Sequence, residues 1–209
     1  MRNRITKHNH SFSLVTLMFL ASQFFVSSHA AEEKIFVNFD DNNVLERPTG
    51  YREWVYVGTP VTPNDMNNGK AAFPEFHSVY IDPVSWKHWK ETGKFRENTV
   101  LIKELISVGS KAAASGKGYF MGEYIGLEAT VKSKQRFPNE PGNWAYFSFS
   151  TPDHKTLKKA VKPKPTTECN FCHEPNAADD FVFTQYYPVL RAGKATGKQA
   201  IGGINSNLQ

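Results

Sequence analysis

The 209-residue chain has only two cysteines, Cys169 and Cys172. No second Cys/His pair stands at finger spacing from them, so a four-ligand zinc site lacks half its donors. The longest apolar stretch, residues 12–26, is about 15 residues, short of the roughly 20 that a spanning helix needs. No internal repeat is visible, and the apolar periodicity does not lay out four long amphipathic helices. Charge of one sign is also scarce. The formal net charge is +5, and three basic residues, Arg2, Arg4 and Lys7, stand at the extreme N-terminus. Without them the chain carries +2, too little to read as a nucleic-acid-binding surface.

Those basic residues precede the apolar stretch, and Ser28-His29-Ala30 follows it with small residues at the −3 and −1 positions. This is the pattern of a secretory signal peptide, with cleavage expected after Ala30 and no membrane span in the mature form. The expected organisation is a cleaved leader over residues 1–30, one domain over residues 31–191, and a frayed tail over residues 192–209.

What is present is the run Cys169-Asn170-Phe171-Cys172-His173. In C-x-x-C-H the two thiols reach the two vinyl groups of one haem, and the adjacent histidine swings under the iron. A bare C-x-x-C also serves as a redox pair. Such a pair usually opens a helix after a strand in an early β-α-β unit, whereas this one sits near the C-terminus. Covalent haem is the expected cofactor, with His173 as iron ligand. Export agrees with it, because bacterial c-type haem is attached outside the cytoplasm.

Upstream of the motif the chain reads mostly as strands. Residues 31–48 are mixed and polar, and are expected to form a loosely attached lead-in. Residues 51–61 suggest a turn and a strand, and residues 62–69 are turn-rich. Residues 76–81 read as a strand. Asp82 and Pro83 then supply the N-cap and first-turn proline of a helix that Gly93 stops. Residues 99–108 alternate most clearly, with Val100, Ile102, Glu104 and Ile106 on one side and Leu101, Lys103 and Leu105 on the other. On pattern alone, Lys103 belongs to an edge strand or snorkels to water. Residues 110–117 read as a small-residue loop and residues 119–131 as a second long strand. On that strand Gly122, Tyr124, Gly126 and Glu128 share a face with Phe120. The glycines there allow another body close to the backbone, and Glu128 alone reads as a solvated carboxylate. A tight turn over 139–143 and a strand over 144–150 follow. Residues 152–168 carry Lys155, Lys158, Lys159, Lys162 and Lys164, and read as a short helix and a proline-rich linker. Their charge suits an acidic electron-transfer partner or a plain solvated face. The expected fold class is α+β, a mainly antiparallel sheet with a few helices and the haem motif near the C-terminus.

Small electron-transfer cytochromes c carry their motif near the N-terminus of a helical domain, which the strands before Cys169 do not resemble. Met66 and Met121, the methionines beyond the leader, are not placed to argue for a sixth iron ligand, so an open sixth position is expected. Several ordered blocks resemble the cytochrome P-460 family over residues 51–191. They are Tyr51-Arg52-Glu53-Trp54-Val55, Val79-Tyr80-Ile81-Asp82-Pro83, Lys103-Glu104-Leu105, Tyr119-Phe120-Met121-Gly122, Gly126-Leu127-Glu128-Ala129, Glu140-Pro141-Gly142-Asn143-Trp144-Ala145, the haem motif, and Tyr187-Pro188-Val189-Leu190-Arg191.

The resemblance implies a periplasmic homodimer of mainly antiparallel β structure. It implies one haem c held by Cys169 and Cys172, with His173 as proximal ligand. It also implies a bond from the Lys103 nitrogen to a haem meso carbon, which reverses the pattern reading. A lysine in apolar surroundings has a lowered pKa and is a neutral nucleophile. The activity implied is oxidation of hydroxylamine at the open position, to nitrous oxide or, with oxygen present, to nitrite. Electrons then pass to a soluble acceptor such as a cytochrome c. Glu128, the carboxylate of the Gly-Leu-Glu-Ala block, matches the base. The alternative is the related cytochrome c′-beta, which binds nitric oxide or carbon monoxide under an aromatic cap and lacks the lysine bond. Phe76 and Phe120 are the aromatics expected to crowd the distal side, and His77 is a further pocket candidate.

Overall fold

The computed structural model describes residues 34–194. Their strands are β1 (Leu45–Glu46), β2 (Val55–Gly58), β3 (Phe76–Ile81), β4 (Val100–Ala113), β5 (Gly116–Lys132), β6 (Trp144–Ser148) and β7 (Ala160–Val161). Their α-helices are α1 (Pro83–Thr92), α2 (Thr166–Asn176) and α3 (Pro188–Gly193). Strands β2 to β6 form one antiparallel sheet in sequence order, and β1 pairs with β7 apart from it. This is the α+β, mainly antiparallel architecture expected. The expected leader over 1–30 and tail residues 195–209 lie outside the described residues. Among the described residues no helix is long and apolar enough to cross a membrane.

Strand β4 lies between β3 and β5, which explains its continuous Val100-Leu101-Ile102 run. A central strand covered on both faces buries both sets of alternating side chains. On one face Val100 and Ile102 pack with Leu127, Ala129 and Phe147 under Leu45 and Phe149. On the other, Leu101 packs with Val79, Ile81 and Tyr146 under Trp89 of α1 and Leu190 of α3. Trp89 Nε1 donates to the Leu190 carbonyl at 2.8 Å, which joins the two helices.

Helix α1 begins and ends where its local chemistry dictates. The Asp82 carboxylate accepts from Ser85 N at 2.8 Å, and Gly93 closes the helix at φ 68°. The same carboxylate accepts from Val100 N at 2.9 Å and from Arg96 at 3.4 Å, so the cap also fixes the start of β4.

Four local expectations are corrected. The lead-in is not loose, because Val37 and Leu45 are buried in the first core cluster and Phe39 packs on it. The expected loop over 110–117 shrinks to a tight turn, and β4 and β5 pair out to Ala113 and Gly116. Bulges interrupt that pairing, so Gly126 pairs with Leu105 whereas Tyr124 pairs with Ile106. Tyr124 therefore leaves the face of Glu128. Finally, no helix spans 152–160. Thr151 N bonds the Thr156 carbonyl and Asp153 accepts from Lys155 N, which folds this lysine-bearing stretch into turns before β7.

Candidate functional site

The C-x-x-C-H run lies within α2, so Cys169, Cys172 and His173 sit at i, i+3 and i+4 on one side of the helix. Helix α2 is held from below by the 139–144 turn. Glu140 accepts from Thr166 Oγ1 at 2.7 Å and from Asn170 Nδ2 at 3.3 Å. His173 is fixed more tightly. Its Nδ1 stands 2.7 Å from the Phe181 carbonyl. A carbonyl only accepts, so Nδ1 carries the proton and Nε2 keeps its lone pair. The ring lies between Tyr146 and Phe183, at centroid distances of 4.5 and 4.6 Å. Burial pulls the imidazole below the usual histidine range, against the Phe181 hydrogen bond and with help from the Lys103 charge. Neutral imidazole with one nitrogen anchored is the form that binds a metal.

This anchoring explains Gly142. Its φ is +60°, and a Cβ there would strike the Phe181 ring and lie 3.0 Å from Trp144 Cδ1. Gly142→Ala is expected to destabilise the protein by about 1–3 kcal/mol, measurable as a lowered urea midpoint. It is also expected to disturb the carbonyl that orients His173.

The other half of the site lies on the sheet face that Leu101 shares. Cross-strand pairing sets Val79, Lys103, Glu128 and Ser148 in one row. The adjacent rows run His77, Leu105, Gly126 on one side and Ile81, Leu101, Thr130, Tyr146 on the other. Lys103 Nζ is 2.5 Å from Glu128, and both side chains are 27 % exposed, so the pair reaches solvent rather than lying in a sealed core. Lys103 is thus neither on an edge strand nor freely solvated. Its pKa also differs from the expectation. Burial pulls the amine down, but the Glu128 carboxylate outweighs it and holds the net shift upward. Glu128 is the carboxylate in contact with its proton.

The two halves face each other. The charges of Lys103 and Glu128 act on both Cys169 and His173. Tyr187, buried at the foot of α3, also lies within their field. Burial pushes the Cys169 thiol up, with Glu128 adding to it. A redox pair needs the opposite shift. Among the described residues no three His, Cys, Asp or Glu side chains gather to hold a bare metal ion. Two thiols, one anchored imidazole and aromatic walls do fit a haem.

Phe76 and Phe120 do not stand over Lys103. Phe76 points to the opposite sheet face, because it alternates with His77, and Phe120 pairs with Ser110 on the outer hairpin. Phe73 takes the place expected of them, with the Lys103 nitrogen 5.2 Å from its ring centroid. The glycines do not make room for a cofactor either. A Cβ on Gly126 would meet Ser150 Oγ at 2.5 Å, and one on Gly122 would meet Ser107 Oγ at 2.5 Å. Phe73, Phe181 and Tyr187 were not assigned roles from sequence. Tyr187 lies in one of the family-like blocks, whereas the other two lie in loops without periodicity.

A family model described as Cytochrome P460 matches residues 48–184, more than half of the chain. The chain belongs to the cytochrome P460 family. It is accordingly a c-type haem protein. No curated protein matches the chain significantly. On the far face of the sheet, two further cytochrome P460 blocks meet. Glu104, only 1 % exposed, accepts from Tyr51 Oη and Arg52 Nε at 2.7 Å each and from Tyr80 Oη at 3.3 Å. Burial and the Glu104 charge push the Tyr80 hydroxyl up to about 12.

Proposed function

We propose that this cytochrome P460 is an exported hydroxylamine oxidoreductase. It oxidises hydroxylamine at an open distal haem position to nitrous oxide, or to nitrite where oxygen is present, and passes the electrons to a soluble cytochrome c. The observation that carries this reading is the Lys103–Glu128 pair, set opposite the haem-binding helix and within the field of Cys169 and His173. Haem, when bound, supplies an iron that takes the substrate nitrogen and relays its electrons.

Each residue then has a task. Cys169 and Cys172 bear the thioether bonds. His173, oriented by the Phe181 carbonyl, offers Nε2 to the iron. Lys103 would hold the haem through its side-chain nitrogen, and Glu128 is the carboxylate placed to take its ammonium proton. A lysine so joined carries no ammonium charge, and Glu128 loses its ion-pair partner. It becomes the free carboxylate of that sheet face and accepts a proton from the substrate. Met66 and Met121 are 73 % and 51 % exposed, which supports an open sixth position. Export to the periplasm follows the leader pattern of residues 1–30, and the homodimer follows the family resemblance.

The Phe73 ring beside Lys103 is the one observation favouring the gas-binding alternative. A proteolytic digest separates the two. Mature protein is expected to yield one haem joined to both the Cys169/Cys172 peptide and the Lys103 peptide, and to reduce an artificial acceptor with hydroxylamine. Haem on the cysteine peptide alone in active protein would refute the lysine bond, and no hydroxylamine turnover would refute the activity.

A further inference from the structure

In the row beside Lys103 the same sheet face carries a second acid–base pair. Glu75 is 7 % exposed although it is a carboxylate, and His77 Nε2 stands 3.8 Å from its Oε1. That is an ion-pair distance, not a hydrogen bond. His77 Nε2 is buried and has no hydrogen-bond partner in the described protein. Its row neighbours explain why, since Leu105 is apolar and Gly126 has no side chain. A buried polar nitrogen left open costs stability unless something else meets it. Phe73 holds the ring edge-on at 5.9 Å and also covers Lys103, so one aromatic side chain links this pair to the Lys103–Glu128 pair. Burial pushes the Glu75 carboxyl up, but the adjoining His77, the local backbone and the Lys103 charge outweigh it and keep it ionised. The pair thus stands within the field of Lys103, whose row on the sheet also carries Glu128.

The chemistry of the substrate calls for such a pair. Each hydroxylamine carried to the level of nitrous oxide gives two electrons to the external one-electron acceptors and releases two protons. Two hydroxylamines give one nitrous oxide, one water, four protons and four electrons. Glu128 holds one proton at a time. We propose that His77, backed by Glu75, is the second proton acceptor of the distal site, taking a substrate proton on Nε2 and passing it by way of Glu75 to solvent beside the exposed Phe73. The proposal rests on the hydroxylamine reading above. His77 is a catalytic residue in this scheme, and Glu75 a positioning residue that acts through it.

The test uses haem-loaded protein carrying His77→Phe, His77→Gln or Glu75→Gln. Two readouts are taken: kcat and KM with hydroxylamine and an artificial acceptor, and the infrared stretch of carbon monoxide bound to the reduced protein. The stretch responds to a nearby N–H donor and needs no turnover. His77→Phe keeps an aromatic ring against Phe73 and is expected to lower kcat about a hundredfold with little change in KM, and to shift the stretch. His77→Gln keeps a donor but no base, so kcat falls while the stretch moves less. Glu75→Gln is expected to show a smaller loss of kcat with a smaller shift. Wild-type kcat and an unmoved stretch in all three would overturn the proposal. If the wild-type protein does not oxidise hydroxylamine, the function proposed above falls. The stretch then decides alone whether His77 meets a distal ligand: a shift in His77→Phe upholds the contact and an unmoved stretch overturns it.

Discussion

Replacing Glu128 with alanine is expected to slow hydroxylamine oxidation at least about a hundredfold, with KM changed far less. The carboxylate stands on β5 directly across from Lys103 on β4. Its neighbours in the row are Lys103 and Ser148, so no other carboxylate of that row can take over. Glu128→Gln keeps the shape and the hydrogen-bonding reach without the proton-accepting charge, and is expected to lose nearly as much. The lysine bond should survive both changes. Without the carboxylate, burial, the largest influence on Lys103, is opposed only by the weaker Tyr187 and Glu75 charges, which favours the neutral amine. Steady-state turnover with an artificial acceptor, run beside a haem–peptide digest, checks both halves. Unchanged turnover in Glu128→Ala would remove Glu128 as the base.

The largest loss of stability is expected from Asp82→Ala, about 3–5 kcal/mol. The carboxylate is fully buried and accepts from Ser85 N, Val100 N and Arg96. Alanine removes the cap of α1, leaves two buried backbone donors short of an acceptor, and takes the carboxylate from the Arg96 guanidinium. A typical domain has only about 5–15 kcal/mol to lose. Asp82→Asn keeps an acceptor and is expected to cost less. The urea midpoint measures both. A loss under about 1 kcal/mol for Asp82→Ala would show that the Asp82 contacts carry little weight.

The two sites differ in how far the sequence reveals them. Helix α1 was legible to its ends because Asp82, Pro83 and Gly93 act within a few residues of themselves. The motif was legible because its ligands lie in one helical turn. Lys103 and Glu128 were legible only in part. Their strands alternate clearly, but that they stand opposite one another depends on a pairing register between residues 25 apart in sequence. The bulges beyond Leu105 are equally non-local, which is why Tyr124 was placed on the wrong face. The lysines of 152–164 carry no local sign that Thr151 and Asp153 will turn the backbone instead of letting a helix form. Glu75, Phe73 and Phe181 come from loops, where no period marks a side chain as facing inward.

Lys103 and Glu104 are neighbours in β4 that point to opposite faces of the sheet, each to a partner of opposite charge: Glu128 for one, Arg52 for the other. Because side chains alternate with a period of two, sliding β4 by one residue against β3 and β5 would exchange them. The ammonium would then be driven among Tyr51 and Tyr80 beside Arg52, and the carboxylate would be set against Glu128. Two like-charge encounters would replace two attractive ones. The adjacent residues thus act as a check digit for the whole sheet: the observed alignment of the strands gives both charges their partners, and a one-residue slip gives them neither.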